Sequence, residues 1–186
     1  MAERVCPWWV GYLLASPIRR WFEKPEEVLG PYLTSGATAL DVGCGMGFFS
    51  LPMAEIVGPS GRVICVDLQE RMVGSLRRRA ARAGVADRVE TRVCSTSGLG
   101  IEDLEGQVDF ALAYAVVHEV PDAAPFLAAI AGALAPGGRL LIAEPRGHVS
   151  AEALEATTSA AAKAGLSLID RPEIKRSRTA LLEKPR

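Results

Sequence analysis

Asp41-Val-Gly-Cys-Gly-Met-Gly47 decides how this chain is read. Ala37-Thr-Ala-Leu40 ahead of it has the short apolar character of a buried strand, and Phe48-Phe-Ser-Leu51 behind it opens a helix. Glycines at a strand-to-helix turn let backbone approach a ligand closely, and the helix that follows offers unpaired N–H groups at its start. The dinucleotide pattern Gly-x-Gly-x-x-Gly needs its third glycine at position 48 if it begins at Gly43, and Phe48 stands there. The turn suits a nucleotide, but not the usual pyrophosphate.

A second observation lies at the end of the next strand. Gly61-Arg-Val-Ile-Cys-Val66 is short, apolar and β-branched, and it runs directly into Asp67. This acid follows Gly47 by about 20 residues, the distance at which a carboxylate reaches the ribose of a nucleotide held at the first turn. One carboxylate accepts from both ribose hydroxyls through charge-assisted bonds. The alternative is that Asp67 caps the helix beginning at Leu68.

The 186 residues make one domain with a substantial core and leave no length for a separate substrate domain. A hydrophobic share of 49% and a mean hydropathy of +0.17 suit parallel strands buried on both faces. The formal net charge of −1 carries no footprint for nucleic acid. Arg77-Arg-Arg79 with Arg82 is read as a solvated helix face. Cys6, Cys44, Cys65 and Cys94 are scattered without a Cys-x-x-Cys pair, which argues for reduced thiols in a cytoplasmic protein and against a zinc site or disulfide frame. No apolar run is long enough to span a bilayer.

From residue 37 the pattern alternates strand and helix, which predicts a parallel sheet with right-handed crossovers. Strands are expected at about 37–42, 62–66, 88–93, 108–117 and 139–144, with helices at about 47–57, 69–83, 123–135 and 150–164. Gly84 closes the second helix, Asp122 and Ser150 cap the third and fourth, and Pro136-Gly-Gly138 stops the third. Leu166-Ser-Leu-Ile169 and Thr179-Ala-Leu-Leu182 form a final pair. The segment between them is too short and polar for a crossover helix, so these strands are antiparallel.

Asp-x-Gly-x-Gly-x-Gly after the first strand, Val117-His-Glu-Val-Pro-Asp122 after the fourth and Leu134-Ala-Pro-Gly-Gly138 before the fifth together resemble class I S-adenosylmethionine (SAM) methyltransferases of the small-molecule type. The resemblance runs over about residues 26–186. It implies a Rossmann-like α/β fold: a seven-stranded, mostly parallel sheet of order 3-2-1-4-5-7-6, the last strand antiparallel, with helices on both faces. It also implies SAM as cofactor and S-adenosylhomocysteine as product. The cofactor residues so implied are Asp41, Gly43, Cys44, Gly45, Gly47, Asp67 and Leu68, with Tyr114 and Ala115 beside the methionine end. Many family members hold adenine with an acid after the third strand. Here Cys94-Ser-Thr-Ser97 stands instead, so Ser95 and Thr96 are assigned that place through backbone or hydroxyl groups.

Methyl transfer needs donor and acceptor aligned and, for a protonated acceptor, a base. The reacting centre of an open α/β sheet lies beyond the carboxyl ends of its strands. His118 follows strand four and His148 follows strand five, with Gly147 leaving the latter's loop open, so both are candidate catalytic residues. Tyr114 is the third candidate, either walling the methyl group or packing in the core. Glu119 and Glu144 stand near the two histidines in the sequence, but nothing in the spacing of these four residues fixes a metal geometry, and no metal site is expected.

Residues 1–24 stand outside the core pattern. Cys6-Pro-Trp-Trp-Val-Gly-Tyr-Leu-Leu14 and Ile18-Arg-Arg-Trp-Phe22 hold all three tryptophans and are read as an aromatic lid on a 25–186 methyltransferase domain. The expected function is methyl transfer to a small, partly apolar acceptor, without nucleic-acid partners or membrane insertion. The alternatives are a noncatalytic SAM-binding regulatory module and an NAD-binding oxidoreductase.

Overall fold

The computed structural model describes residues 23–186. The lid expected over residues 1–24 therefore lies outside the described residues, save for its last two. Strands β1 (Thr38–Val42), β2 (Arg62–Asp67), β3 (Val89–Val93), β4 (Val108–Tyr114), β5 (Leu134–Pro145), β6 (Ser167–Asp170) and β7 (Ser177–Glu183) form a sheet of order β3-β2-β1-β4-β5-β7-β6. Helices α1 (Pro25–Leu29), α2 (Ser50–Val57), α3 (Glu70–Ala83), α4 (Ala123–Ala133) and α5 (Ala151–Lys163) accompany the strands. The order, the parallel pairs and the reversed β7 are those expected from the sequence. The chain divides into two compact units between Cys94 and Ser95.

In the first unit β2 pairs in parallel with β1 and β3, with Asp41 opposite Cys65 and Asp67 opposite Val93. Both acids thus stand at strand ends rather than in mid-sheet. Val63, Ile64, Cys65 and Val66 are fully buried, as a strand covered on both faces requires. Helix α3 shows the complementary pattern: Met72, Val73, Leu76 and Ala80 are buried at helical spacing, while Arg77 and Arg78 are exposed. Met72, Val73 and Leu76 each contribute roughly 1.5–3 kcal/mol by this burial. Gly84 ends the helix at φ 72°, its N–H donating to the carbonyls of Ala80 and Ala81.

In the second unit β4 and β5 are parallel, and β7 runs antiparallel to β5 and β6. Asp122 caps α4 by accepting from the Ala124 N–H at 2.9 Å, and Ser150 caps α5 by accepting from Ala153 at 3.1 Å. Pro136-Gly-Gly138 corrects the sequence reading. The helix has already ended at Ala133, and the three residues belong to β5. Val108 pairs with Leu134 but Phe110 with Arg139, so the extra residues bulge out of the ladder. A Cβ at Gly138 would lie 2.7 Å from the Val108 carbonyl, so this close approach admits only glycine.

Candidate functional site

The first unit supplies a turn and an acid. Gly43, Gly45 and Gly47 all have positive φ, at 73°, 53° and 84°. The N–H groups of Gly43 and Cys44 donate to the Val66 carbonyl, which ties the turn to β2. The three glycines have different reasons to be glycine. A Cβ on Gly47 would sit 2.3 Å from Leu76 Cδ1, so this residue lets α3 pack against the turn. A Cβ on Gly45 would meet nothing within 4 Å among the described residues. Their packing leaves that side of the turn open.

Asp67 borders the open side. Its Oδ2 accepts from the Gly45 N–H at 2.8 Å and its Oδ1 from the Gln69 N–H at 2.9 Å. It does not cap the helix directly: the cap position belongs to Gln69. A carboxylate offers about four acceptor positions, and these bonds occupy two, which leaves capacity for a ribose diol. Burial raises the Asp67 pKa, and the two N–H bonds oppose that rise. The open face at Gly45 and the half-satisfied acid beside it fit a SAM ribose.

Asp41 has a different setting. It is buried, and its Oδ2 accepts from Ser50 Oγ at 2.5 Å, joining the end of β1 to the start of α2. Burial pushes its pKa up to about 7, against the Ser50 bond, with the Asp67 charge adding to the rise. Helix α2 starts at Ser50, later than the sequence pattern implies, because residues 45–49 complete the turn. The Cys44 and Cys65 thiols are buried and raised well above their ordinary pKa by that burial, which keeps them in the unreactive protonated form. Leu68 is exposed next to Asp67. Arg79 corrects the reading of the arginine cluster as a wholly solvated face: its guanidinium donates to the Met46 carbonyl and braces the glycine turn.

The second unit supplies the histidines. Ala115 leaves β4 at φ 56°, a left-handed conformation uncommon for a residue with a side chain, while its N–H donates to Ala143 at 2.8 Å. This twist turns the next two N–H groups toward Glu144. Glu144 Oε1 accepts from Val116 at 3.2 Å and Val117 at 2.8 Å, and Oε2 pairs with His118 Nδ1. Glu144 is 1% exposed, and its bonds to two backbone donors and one imidazole satisfy a carboxylate that would otherwise be costly to bury. The His118 and His148 rings meet edge to face with centroids 5.5 Å apart. The Tyr114 hydroxyl lies 3.3 Å from Ser177 Oγ. Ser95 and Thr96 are exposed, and the Ser95 hydroxyl bonds Ser97 at 2.8 Å.

A methyltransferase domain model matches residues 33–180. The chain belongs to the methyltransferase domain family. Among solved structures, it is similar to a SAM-dependent methyltransferase from Aquifex aeolicus, with a TM-score of 0.84 at 24% identity over 96% of this chain and 98% of that one. That likeness concerns the fold. A ubiquinone biosynthesis O-methyltransferase of Xanthomonas euvesicatoria is 32% identical over 142 residues, 69% of this chain and 57% of the relative. An arsenite methyltransferase of Halobacterium salinarum is 32% identical over 112 residues, 60% of this chain and 28% of the relative. The chain thus spans little more than half, or less, of these curated relatives.

The structure therefore brings Gly43, Cys44, Gly45, Gly47 and Asp67 together in one methyltransferase unit, and His118 with His148 in the other. Ser50 and Arg79 are the residues that sequence reasoning missed, and it placed Glu144 near the histidines without giving it a partner. Glu144 had a signal: an acid ending the apolar run Leu140-Leu-Ile-Ala143 is buried and must have partners.

Proposed function

We propose that this domain transfers a methyl group from SAM to a protic group on a small, partly apolar acceptor, releasing S-adenosylhomocysteine. The observation that carries this reading is the open face at Gly45 beside an Asp67 carboxylate with acceptor capacity left over. In this reading Gly43, Cys44, Gly45 and Gly47 approach the cofactor by backbone, and Asp67 accepts from its ribose. Asp41 supports the turn through Ser50. Leu68, Ser95 and Thr96 serve the adenine end, and Tyr114 and Ala115 the methionine end. SAM brings an activated methyl carbon; the chain aligns the acceptor and takes its proton.

His118 and His148 favour a protic acceptor, and the similarity to an O-methyltransferase supports oxygen as the acceptor atom. The arsenite relative supports a thiol-bound metalloid less well. Cys44 and Cys65 are held as buried thiols, and no group of three or more metal-ligating side chains occurs among the described residues. The near-zero net charge supports a small molecule over nucleic acid. Free Cys44, Cys65 and Cys94 suit the reducing cytoplasm, and no helix of the described residues is long and apolar enough to cross a membrane. The aromatic segment 1–24 is assigned the acceptor's apolar walls on its sequence alone.

Methyl-labelled SAM incubated with catechols, quinols, alkyl thiols and amines tests the proposal. Label entering a phenolic or quinol oxygen supports it. Transfer confined to thiols or amines refutes the oxygen assignment, and tight SAM binding with no transfer to any acceptor favours a noncatalytic module.

A further inference from the structure

We infer that Glu144 is the positioning residue of the methyl-transfer site: it fixes the tautomer of His118 so that Nε2 is the base that receives the acceptor's proton. The inference rests on the proposed transfer to a protic acceptor and specifies which group makes it possible.

The geometry leaves Glu144 little freedom. Both backbone donors, Val116 and Val117, converge on Oε1, which leaves Oε2 for His118 Nδ1. An ionised carboxylate only accepts, so in the neutral imidazole the proton must lie on Nδ1 and the lone pair on Nε2. Nε2 has no hydrogen-bond partner among the described residues, and the His118 side chain is 22% exposed, so this nitrogen can meet a ligand. Three features impose the arrangement: the left-handed Ala115, the short turn Val117–Glu119 it feeds, and the burial of Glu144 at the end of β5. A side chain buried only to brace the β4 exit would need the two backbone donors and nothing more. The third bond, to a histidine whose other nitrogen is unengaged, is what assigns a chemical role.

The acceptor O–H proton passes to Nε2 as the oxygen bonds the methyl carbon, and the electron pair of the breaking S–C bond remains on sulfur. The sulfonium becomes a neutral thioether, and the imidazolium so formed is stabilised by the Glu144 carboxylate at Nδ1 and later releases its proton to solvent. His148 is set edge-on against the His118 ring.

Glu144→Gln tests this without removing the brace. The amide oxygen must still accept from Val116 and Val117, so the amide NH2 faces His118 and donates to Nδ1. That forces the imidazole proton onto Nε2 and blocks the base. Long-range 1H–15N spectra of the labelled protein with S-adenosylhomocysteine at pH 8 should show the His118 proton on Nδ1 in the wild type and on Nε2 in Glu144→Gln. This readout needs no acceptor. With a catechol acceptor, kcat should fall by about 100-fold or more, with the KM for SAM changed by less than about twofold. Adding His118→Gln to Glu144→Gln should cost little more. An unchanged tautomer in Glu144→Gln overturns the positioning role, and a changed tautomer with full turnover overturns the base. If no acceptor turns over even in the wild type, the protic-acceptor reading fails, while the spectra still decide the role of Glu144.

Discussion

The Gly45 N–H donates to Asp67 Oδ2 at 2.8 Å, so the glycine turn after β1 and the acid that ends β2 form one hydrogen-bonded unit. The bond fixes the carboxylate against the turn with acceptor positions to spare. It also means that the two halves of the proposed cofactor site cannot drift apart independently, because Gly43 and Cys44 are bonded to the Val66 carbonyl immediately before Asp67. Preorganisation of this kind lowers the ordering cost of binding.

The glycines separate binding from stability. Gly47→Ala places a Cβ against the fully buried Leu76 at a positive φ, so thermal or urea unfolding should show a loss of roughly 2–4 kcal/mol. Gly45→Val points into open space, so its cost should be only the backbone strain, about 1–2 kcal/mol, while SAM binding disappears. Equal unfolding losses in the two variants, or normal SAM binding by Gly45→Val, would contradict this division.

Asp41 makes stability fall with rising pH. Its carboxyl has an ordinary pKa of 3.8 when exposed and about 7 in the fold. Between these values the folded chain holds a proton that the unfolded chain has released, so unfolding free energy declines from about pH 4 to pH 7 and then levels off. Asp41→Asn keeps an acceptor for Ser50 and removes the titration. At pH 8 it should be more stable than the wild type by an amount on the order of 1–4 kcal/mol, and the difference should vanish toward pH 4. Denaturant titrations across that range check it; parallel curves for the two proteins would show that Asp41 does not titrate in this window.

The histidines should differ in consequence. His118→Gln removes the base and should lower kcat by about 100-fold or more, whereas His148→Phe preserves an aromatic edge and should lower it by less than about tenfold. Single-turnover rates with a phenolic acceptor make the comparison. The reverse order would transfer the base role to His148, whose open loop after Gly147 is what draws attention to it in the sequence.

The fold was legible because each strand carries its own signal: β-branched apolar runs ended by Asp67 or opened by Arg139, and helix ends marked by Asp122, Ser150 and Gly84. Pro136-Gly-Gly138 misled because breakers stop a helix and make a bulge equally well, and only the pairing of Leu134 with Val108 distinguishes them. The pairing of the glycine turn with Asp67 was legible for the same local reason, a turn and an acid at fixed spacing. The Glu144–His118 pair was not. It joins residues on different strand exits, and the decisive element, the left-handed turn at Ala115, is carried by an alanine with no sequence mark of its own.

Calorimetric titration of S-adenosylhomocysteine into the wild type and Asp67→Ala tests the central claim most directly. Removing the carboxylate deletes the acceptor for both ribose hydroxyls and unties Gly45, and charged hydrogen bonds of this kind contribute about 1.5–3 kcal/mol each. The variant should keep the wild-type circular dichroism spectrum and bind at least about tenfold more weakly, and the wild type should show no comparable affinity for NADH. Equal affinity of the two proteins for S-adenosylhomocysteine, or NADH binding as tight as that of the methyl-transfer product, would contradict the account.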